Sequence, residues 1–143
     1  MRLIVYSHDA FGLGNIRRML AICKYLLKSI PKVSILLISG SPVLHSFRMP
    51  EGLDYIKLPC LGRDESGRLC AKYLKRDPQE VMKLRSEIIK AAIVNFEPDV
   101  ILVDKKPFGM QGELKASLEY VKAHLPNTKV SLLLRDILDA PEV

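Results

Sequence analysis

Leu3-Ile4-Val5-Tyr6-Ser7-His8-Asp9-Ala10-Phe11-Gly12-Leu13-Gly14-Asn15 decides the fold: an apolar run passes through a polar turn onto two glycines and then into a helical pattern. A strand that turns on glycines into a helix aims that helix's first unpaired N–H groups at the strand's carboxyl end, where phosphate or a developing negative charge is favoured. Gly12 and Gly14 read as the residues that let the backbone turn, and Gly12, Leu13, Gly14 and Asn15 as the wall of an anion pocket. The spacing does not fit the dinucleotide fingerprint. Arg17 stands where that fingerprint has its third glycine, and the next strand ends in Ser39-Gly40-Ser41-Pro42 with no carboxylate for a ribose diol. Nicotinamide cofactors are disfavoured on both counts. The two glycines also admit the plainer reading that they only shape a turn.

Working outward, Ile16, Met19, Leu20, Cys23, Leu26 and Leu27 recur at helical spacing until Pro31 stops the helix. Val33 to Ile38 is too continuously apolar for a half-exposed strand and suits a sheet covered on both faces. A shorter strand is expected from Leu53 to Leu58, near an edge. Cys60 to Asp77 is polar and charged without a sustained period, and reads as a loop beside a cleft. Asp77 then caps a helix with Pro78 in its first turn, and Val81, Leu84, Ile88, Ala92 and Phe96 set its apolar stripe until Glu97-Pro98. Val100 to Val103 forms a strand ending at Asp104-Lys105-Lys106-Pro107, followed by a helix from about Glu113 to His124 and a last strand from Lys129 to Leu134, which closes on Arg135-Asp136.

Right-handed crossovers confine this series to an α/β, Rossmann-like doubly wound parallel sheet of about five strands in the order 3-2-1-4-5. The carboxyl ends of the strands then share a rim, which brings together residues 8–15, 39–41, 104–106 and 135–136.

Composition bounds the rest. The 143 residues suffice for one domain with a sizeable core and are too few for two of ordinary size. Cys23, Cys60 and Cys70 lack paired metal-ligand spacing, so no metal is assigned, and their odd number without a secretory leader suits reduced thiols in a cytoplasmic setting. No apolar run approaches the roughly 20 residues that span a bilayer. A net charge of +6 permits contact with anionic lipid, including a peripheral place at an inner membrane face, or with a phosphorylated substrate. Scattered basic residues, few aromatics and no Trp argue against nucleic acid.

Several motifs in order carry a resemblance across nearly the whole chain. Ser7-His8-Asp9-x-Phe11-Gly12-Leu13-Gly14-x-x-Arg17-Arg18, Ser39-Gly40-Ser41-Pro42, Val103-Asp104-Lys105-x-Pro107, Gly112-Glu113-Leu114 and Leu134-Arg135-Asp136-Ile137-Leu138-Asp139 resemble the N-terminal half of predicted bacterial glycosyltransferases. These are similar in turn to the MurG-like group with the GT-B fold. The resemblance implies a hexosyl-type transferase that moves a sugar from a nucleotide-sugar co-substrate, with no other cofactor, to an acceptor bound between two Rossmann-like halves. Residues 1–143 would form the single acceptor-side domain, and the donor-binding half would be a separate domain or subunit. An orphaned interdomain face could also support a homo-oligomer. Relatives commonly carry His after the second glycine; Asn15 here cannot take up a proton at neutral pH.

Sugar transfer with inversion needs a base for the acceptor hydroxyl and stabilisation of the leaving diphosphate. His8 is the base candidate, with a cleft-lining role as the plainer reading. Asp104 could orient a hydroxyl or serve as the base, or be held in an ion pair by Lys105 and Lys106. Asn15 could cap the helix or bind an acceptor hydroxyl, and Arg17, Ser41, Lys105 and Arg135 are candidates for acceptor or phosphate contacts. Arg17 is equally compatible with plain solvation and Arg135 with a structural pair to Asp136. The rival to a transferase is a degenerate domain that keeps the fold and binds a ligand or protein without catalysis.

Overall fold

Alternating apolar strands and helices appear in the order the sequence sets, in a computed structural model that describes residues 1–8 and 14–134. The elements are β1 (Arg2–Ser7), α1 (Gly14–Ser29), β2 (Ser34–Ser39), β3 (Leu53–Lys57), β4 (Leu61–Arg63), β5 (Leu69–Ala71), α2 (Pro78–Phe96), β6 (Val100–Asp104), α3 (Lys115–His124) and β7 (Lys129–Leu133). Five strands form one parallel sheet in the order β3-β2-β1-β6-β7. This is the expected Rossmann-like order, with β3 at an edge.

Period two along the strands splits the core into two layers. Leu3, Val5, Ile35 and Leu37 pack with Ile16, Met19, Leu20 and Cys23 of α1 on one face. Ile4, Tyr6, Ile38, Ile101 and Val103 pack with Ile89 and Ile93 of α2 and Val121 of α3 on the other. Asp77 caps α2 as expected, its carboxylate accepting from the Gln79 N–H at 2.8 Å, with Pro78 opening the helix. Glu97 closes that helix in the left-handed region at φ 51°. No helix among the described residues is long and apolar enough to cross a membrane.

Three expectations need correction. The segment read as a loop, Cys60 to Asp77, contains the antiparallel hairpin β4–β5. Its turn is set by Asp64, whose Oδ1 accepts from the Ser66 and Arg68 N–H groups, and by Gly67 at φ +78°, while Leu61 is buried with Val81 and Met110. In α2 the fully buried stripe is Val81, Arg85, Ile89 and Ile93, and Leu84 is exposed. Ile88, Ala92 and Phe96 of the expected stripe do pack against the core, partly buried, and the stripe admits Arg85 because it has a buried partner in Glu113. That residue also lies outside α3, which starts at Lys115.

Candidate functional site

The face assignments place three polar side chains in one row beneath the start of α1. Ser7 follows Leu3 and Val5 onto the α1 face, Ser39 follows Ile35 and Leu37, and Asp104 follows Val100 and Leu102. Ser7 and Ser39 are register partners, and the pairing of Tyr6 with Val103 puts Asp104 beside Ser7. All three are fully buried, at the carboxyl end of adjacent strands. The Ser39 hydroxyl accepts from the Ser41 N–H at 3.1 Å. The Ser7 hydroxyl has no hydrogen-bond partner among the described residues.

His8 is drawn into this row. Its Nδ1 lies 3.3 Å from the Asp104 carbonyl oxygen. A carbonyl can only accept, so Nδ1 is the donor in this contact, which in a neutral ring leaves the lone pair on Nε2. The Asp104 carboxylate is 3.9 Å from the Arg18 guanidinium on α1. Arg18 is thus the cation that the helix brings to Asp104, while Lys105 and Lys106 have exposed side chains. Lys105 itself sits at φ 62°, with its N–H donating to the Leu133 carbonyl at 2.9 Å.

The other sequence candidates divide. Asn15 is half-buried in the first turn of α1, and Arg17 is exposed. Gly14 opens α1, and a Cβ there would meet nothing within 4 Å among the described residues. Ser41 is buried, and its hydroxyl is engaged at 3.4 Å by the Val43 N–H. Gly12, Leu13 and Arg135 lie outside the described residues, as do Asp9 and Asp136.

On the opposite face of the sheet, directly below this rim, is a polar network of which sequence reasoning singled out no member as a site residue. Arg85 of α2 and Glu113 form a fully buried, two-pronged ion pair, Nε to Oε2 and Nη2 to Oε1, each at 2.8 Å. The Tyr6 hydroxyl donates to the same Glu113 Oε1 and accepts from the Met110 N–H at 3.0 Å. Arg85 Nη1 donates to the Pro59 carbonyl at 2.7 Å and fills the space a side chain at Gly40 would need. The network therefore ties the loops after β2, β3 and β6 to α2. Burial alone pulls the Arg85 guanidinium down, but Glu113, with Tyr6, outweighs it and holds its pKa above the ordinary value. Burial first, and then the Glu113 charge and bond, hold the Tyr6 hydroxyl well above the usual phenol range. The sequence signal was thin: Glu113 stands in a resembling motif, and Arg85 reads as an ordinary solvated helix residue.

Two cavities lie away from the rim, one between α3 and β7 (Leu118, Val121, Leu125, Val130) and one at the amino ends of the strands (Arg2, Asp99, Thr128). Neither gathers the polar groups of the rim. Among the described residues, no cluster of His, Cys, Asp and Glu could hold a metal ion.

No protein-family model matches the chain, and no curated protein sequence matches it. Among solved structures it is similar to the crystal structure of a UGT transferase from Siraitia grosvenorii in complex with UDP, with a TM-score of 0.52 and 17% sequence identity. The likeness is one of fold. It covers 92% of this chain and 23% of that one, so the chain spans about a quarter of the transferase's length. The five-stranded sheet is thus a Rossmann-like unit that also occurs within that transferase.

Proposed function

We propose that this chain is the acceptor-side half of a glycosyltransferase, related to the MurG-like bacterial enzymes, which works with a donor-binding domain or subunit. The observation that carries this reading is His8 held against Asp104 at the carboxyl rim, where the α1 N-terminus and a buried polar row meet. With Nδ1 bonded to the Asp104 carbonyl, Nε2 takes the proton of the acceptor hydroxyl as the sugar carbon forms its bond to that oxygen and releases its diphosphate. Asp104 holds Arg18 and the strand end in place, and the first N–H groups of α1 face the developing charge. Asn15, Arg17, Ser41 and Lys105, together with Gly12, Leu13 and Arg135, complete the acceptor and phosphate contacts in this reading. The UDP held by the structural neighbour makes a uridine diphosphate sugar the first donor to test. In the cell, the protein would be cytoplasmic.

The test is sugar transfer and nucleotide-sugar hydrolysis by the purified chain, alone and mixed with a candidate donor-side domain. Activity only in the mixture, lowered by His8→Ala on the order of 10²–10⁴-fold, is the expected result. Activity of the chain alone removes the half-enzyme reading. Binding of an acceptor without turnover in any mixture favours the non-catalytic domain instead.

A further inference from the structure

The loop from β6 to α3 is strained where it leaves the rim. Four of the eight positive-φ residues among the described ones, Lys105, Gly109, Gln111 and Gly112, fall in this stretch, and two of them carry side chains. At Lys105, φ 62° combines with a bond from the Lys106 N–H to the Asp104 carbonyl at 2.7 Å, which is the rare and strained hand of the γ-turn. Such conformations persist only where the surroundings over-determine them. The Asp104 carbonyl that this turn presents is the one against which His8 Nδ1 lies. The Lys105 N–H, on the other edge of the same trans peptide, points away from it to the Leu133 carbonyl of β7.

The far end of this loop is held from the opposite face of the sheet. Tyr6, two residues before His8, accepts from the Met110 N–H at 3.0 Å and donates to Glu113. The Glu113 carboxylate takes both prongs of Arg85, and its carbonyl accepts from the Ser86 hydroxyl at 3.1 Å. A fully buried ion pair is a poor source of stability, since apolar side chains of similar volume serve as well or better. It differs from an apolar pair in fixing direction, because two parallel prongs accept one arrangement of the partners. The strand that carries His8 and the loop that begins at its partner carbonyl are thus cross-linked beneath the rim. Tyr6, Arg85 and Glu113 are all buried, so none of them is placed to touch a substrate.

We propose that Tyr6, Glu113 and Arg85 are positioning residues for His8: they hold the strained turn at Lys105, so that the Asp104 carbonyl keeps the imidazole proton on Nδ1 and leaves Nε2 open to a hydroxyl. With the loop released, Lys105 relaxes to negative φ and the Asp104 carbonyl rotates away from the ring. The imidazole then loses the bond that sets its tautomer, and its proton divides between the two nitrogens. The inference rests on the transferase reading only for what Nε2 does next, the abstraction of a proton from the acceptor.

The test is nitrogen-15 NMR of the histidine rings in the chain at about pH 8.5, where an ordinary imidazole is neutral, with His8→Gln identifying the His8 signals. In the parent the proton should sit on Nδ1. In Tyr6→Phe, and in Arg85→Met with Glu113→Leu, the two ring nitrogen signals should move toward each other as the tautomers mix. The Lys106 N–H should exchange with solvent about tenfold faster, the effect of roughly one lost hydrogen bond. Ile93→Val, a comparable loss in the same core layer, should move neither readout, whereas a purely structural role would make the variants alike. Circular dichroism verifies that each variant is folded. The ring signals need no turnover, so a chain that never transfers sugar sinks the transferase reading alone. A parent His8 with its proton on Nε2, or ring signals that keep their parent positions in both network variants, overturns the positioning role.

Discussion

Replacing Glu113 by Gln keeps its shape but leaves the Arg85 guanidinium ionised, fully buried and without a counter-charge. Breaking one side of such a pair costs about 3–5 kcal/mol, whereas an apolar replacement of both partners is often close to neutral. Chemical denaturation should therefore show Glu113→Gln as severely destabilised and Arg85→Met with Glu113→Leu as largely restored. Tyr6→Phe, which loses only the hydroxyl, should cost about 1–2 kcal/mol. The buried thiol of Cys23 adds a pH dependence, since burial pushes its pKa from 9.0 up to about 12. The folded state holds that proton longer than the unfolded chain does. Its contribution is fully present below pH 9.0 and is lost, at about 1.4 kcal/mol per pH unit, as pH rises toward 12. Tyr6, raised from 10.0, adds to the loss in the same direction. Denaturation midpoints measured at rising alkaline pH should fall, and Cys23→Ala should flatten the slope. At this scale the place of His8 and Asp104 at the strand ends was legible, because both lie where an apolar run ends. Arg85 was not, because a basic residue at any helical position reads as solvated until its buried partner is known.

Long elements declared themselves through their period, and short ones did not. α2 was bounded by an acidic cap and a proline at its start, and both features do what their chemistry dictates. Three-residue strands such as β4 and β5 are too short for alternation to be tested, and their charged turn resembles a loop in composition. The connection between β6 and α3 gave equally little away. Lys105, Gly109, Gln111 and Gly112 all have positive φ there, which folds the segment back so that Met110 reaches the Tyr6 hydroxyl. Gly109 is the tightest point: at φ +73°, a Cβ would come within 2.8 Å of the Tyr6 hydroxyl and 2.9 Å of the Leu114 side chain. Gly109→Ala should destabilise by about 2–4 kcal/mol through both backbone strain and overpacking. Hydrogen exchange should show the change as early opening of residues 105–113 rather than of β1 and β2. Gly67→Ala has the same kind of φ, but nothing lies within 4 Å of its Cβ. It should cost only the backbone term, about 1–2 kcal/mol.

Taken as a whole, the sheet is unevenly covered. β2 is buried along most of its length, whereas β7 is exposed at four of five positions. A parallel strand normally lies under helices on both faces, and its free edge presents unpaired backbone groups. Val130 and Leu132 alternate along β7 on the α3 side and Leu134 follows the strand, each more than 40% exposed, and Val130 borders the apolar groove of Leu118, Val121 and Leu125. The expected strand pattern was legible here, but its lack of cover was not, because an apolar run announces a strand without saying what packs on it. A free apolar edge of this kind promotes edge-to-edge association. Sedimentation velocity over a range of concentrations should show reversible self-association of the chain, and Leu132→Lys should suppress it, since an inward charge on an edge strand blocks pairing. Leu132 is 41% exposed, so the substitution should leave stability within about 1 kcal/mol of the parent. If the chain stays monomeric at all concentrations, or associates as strongly after Leu132→Lys, the β7 edge is not the adhesive surface. If a donor-side domain also abolishes self-association on mixing, then the β7 edge and the partner compete for one face of the molecule.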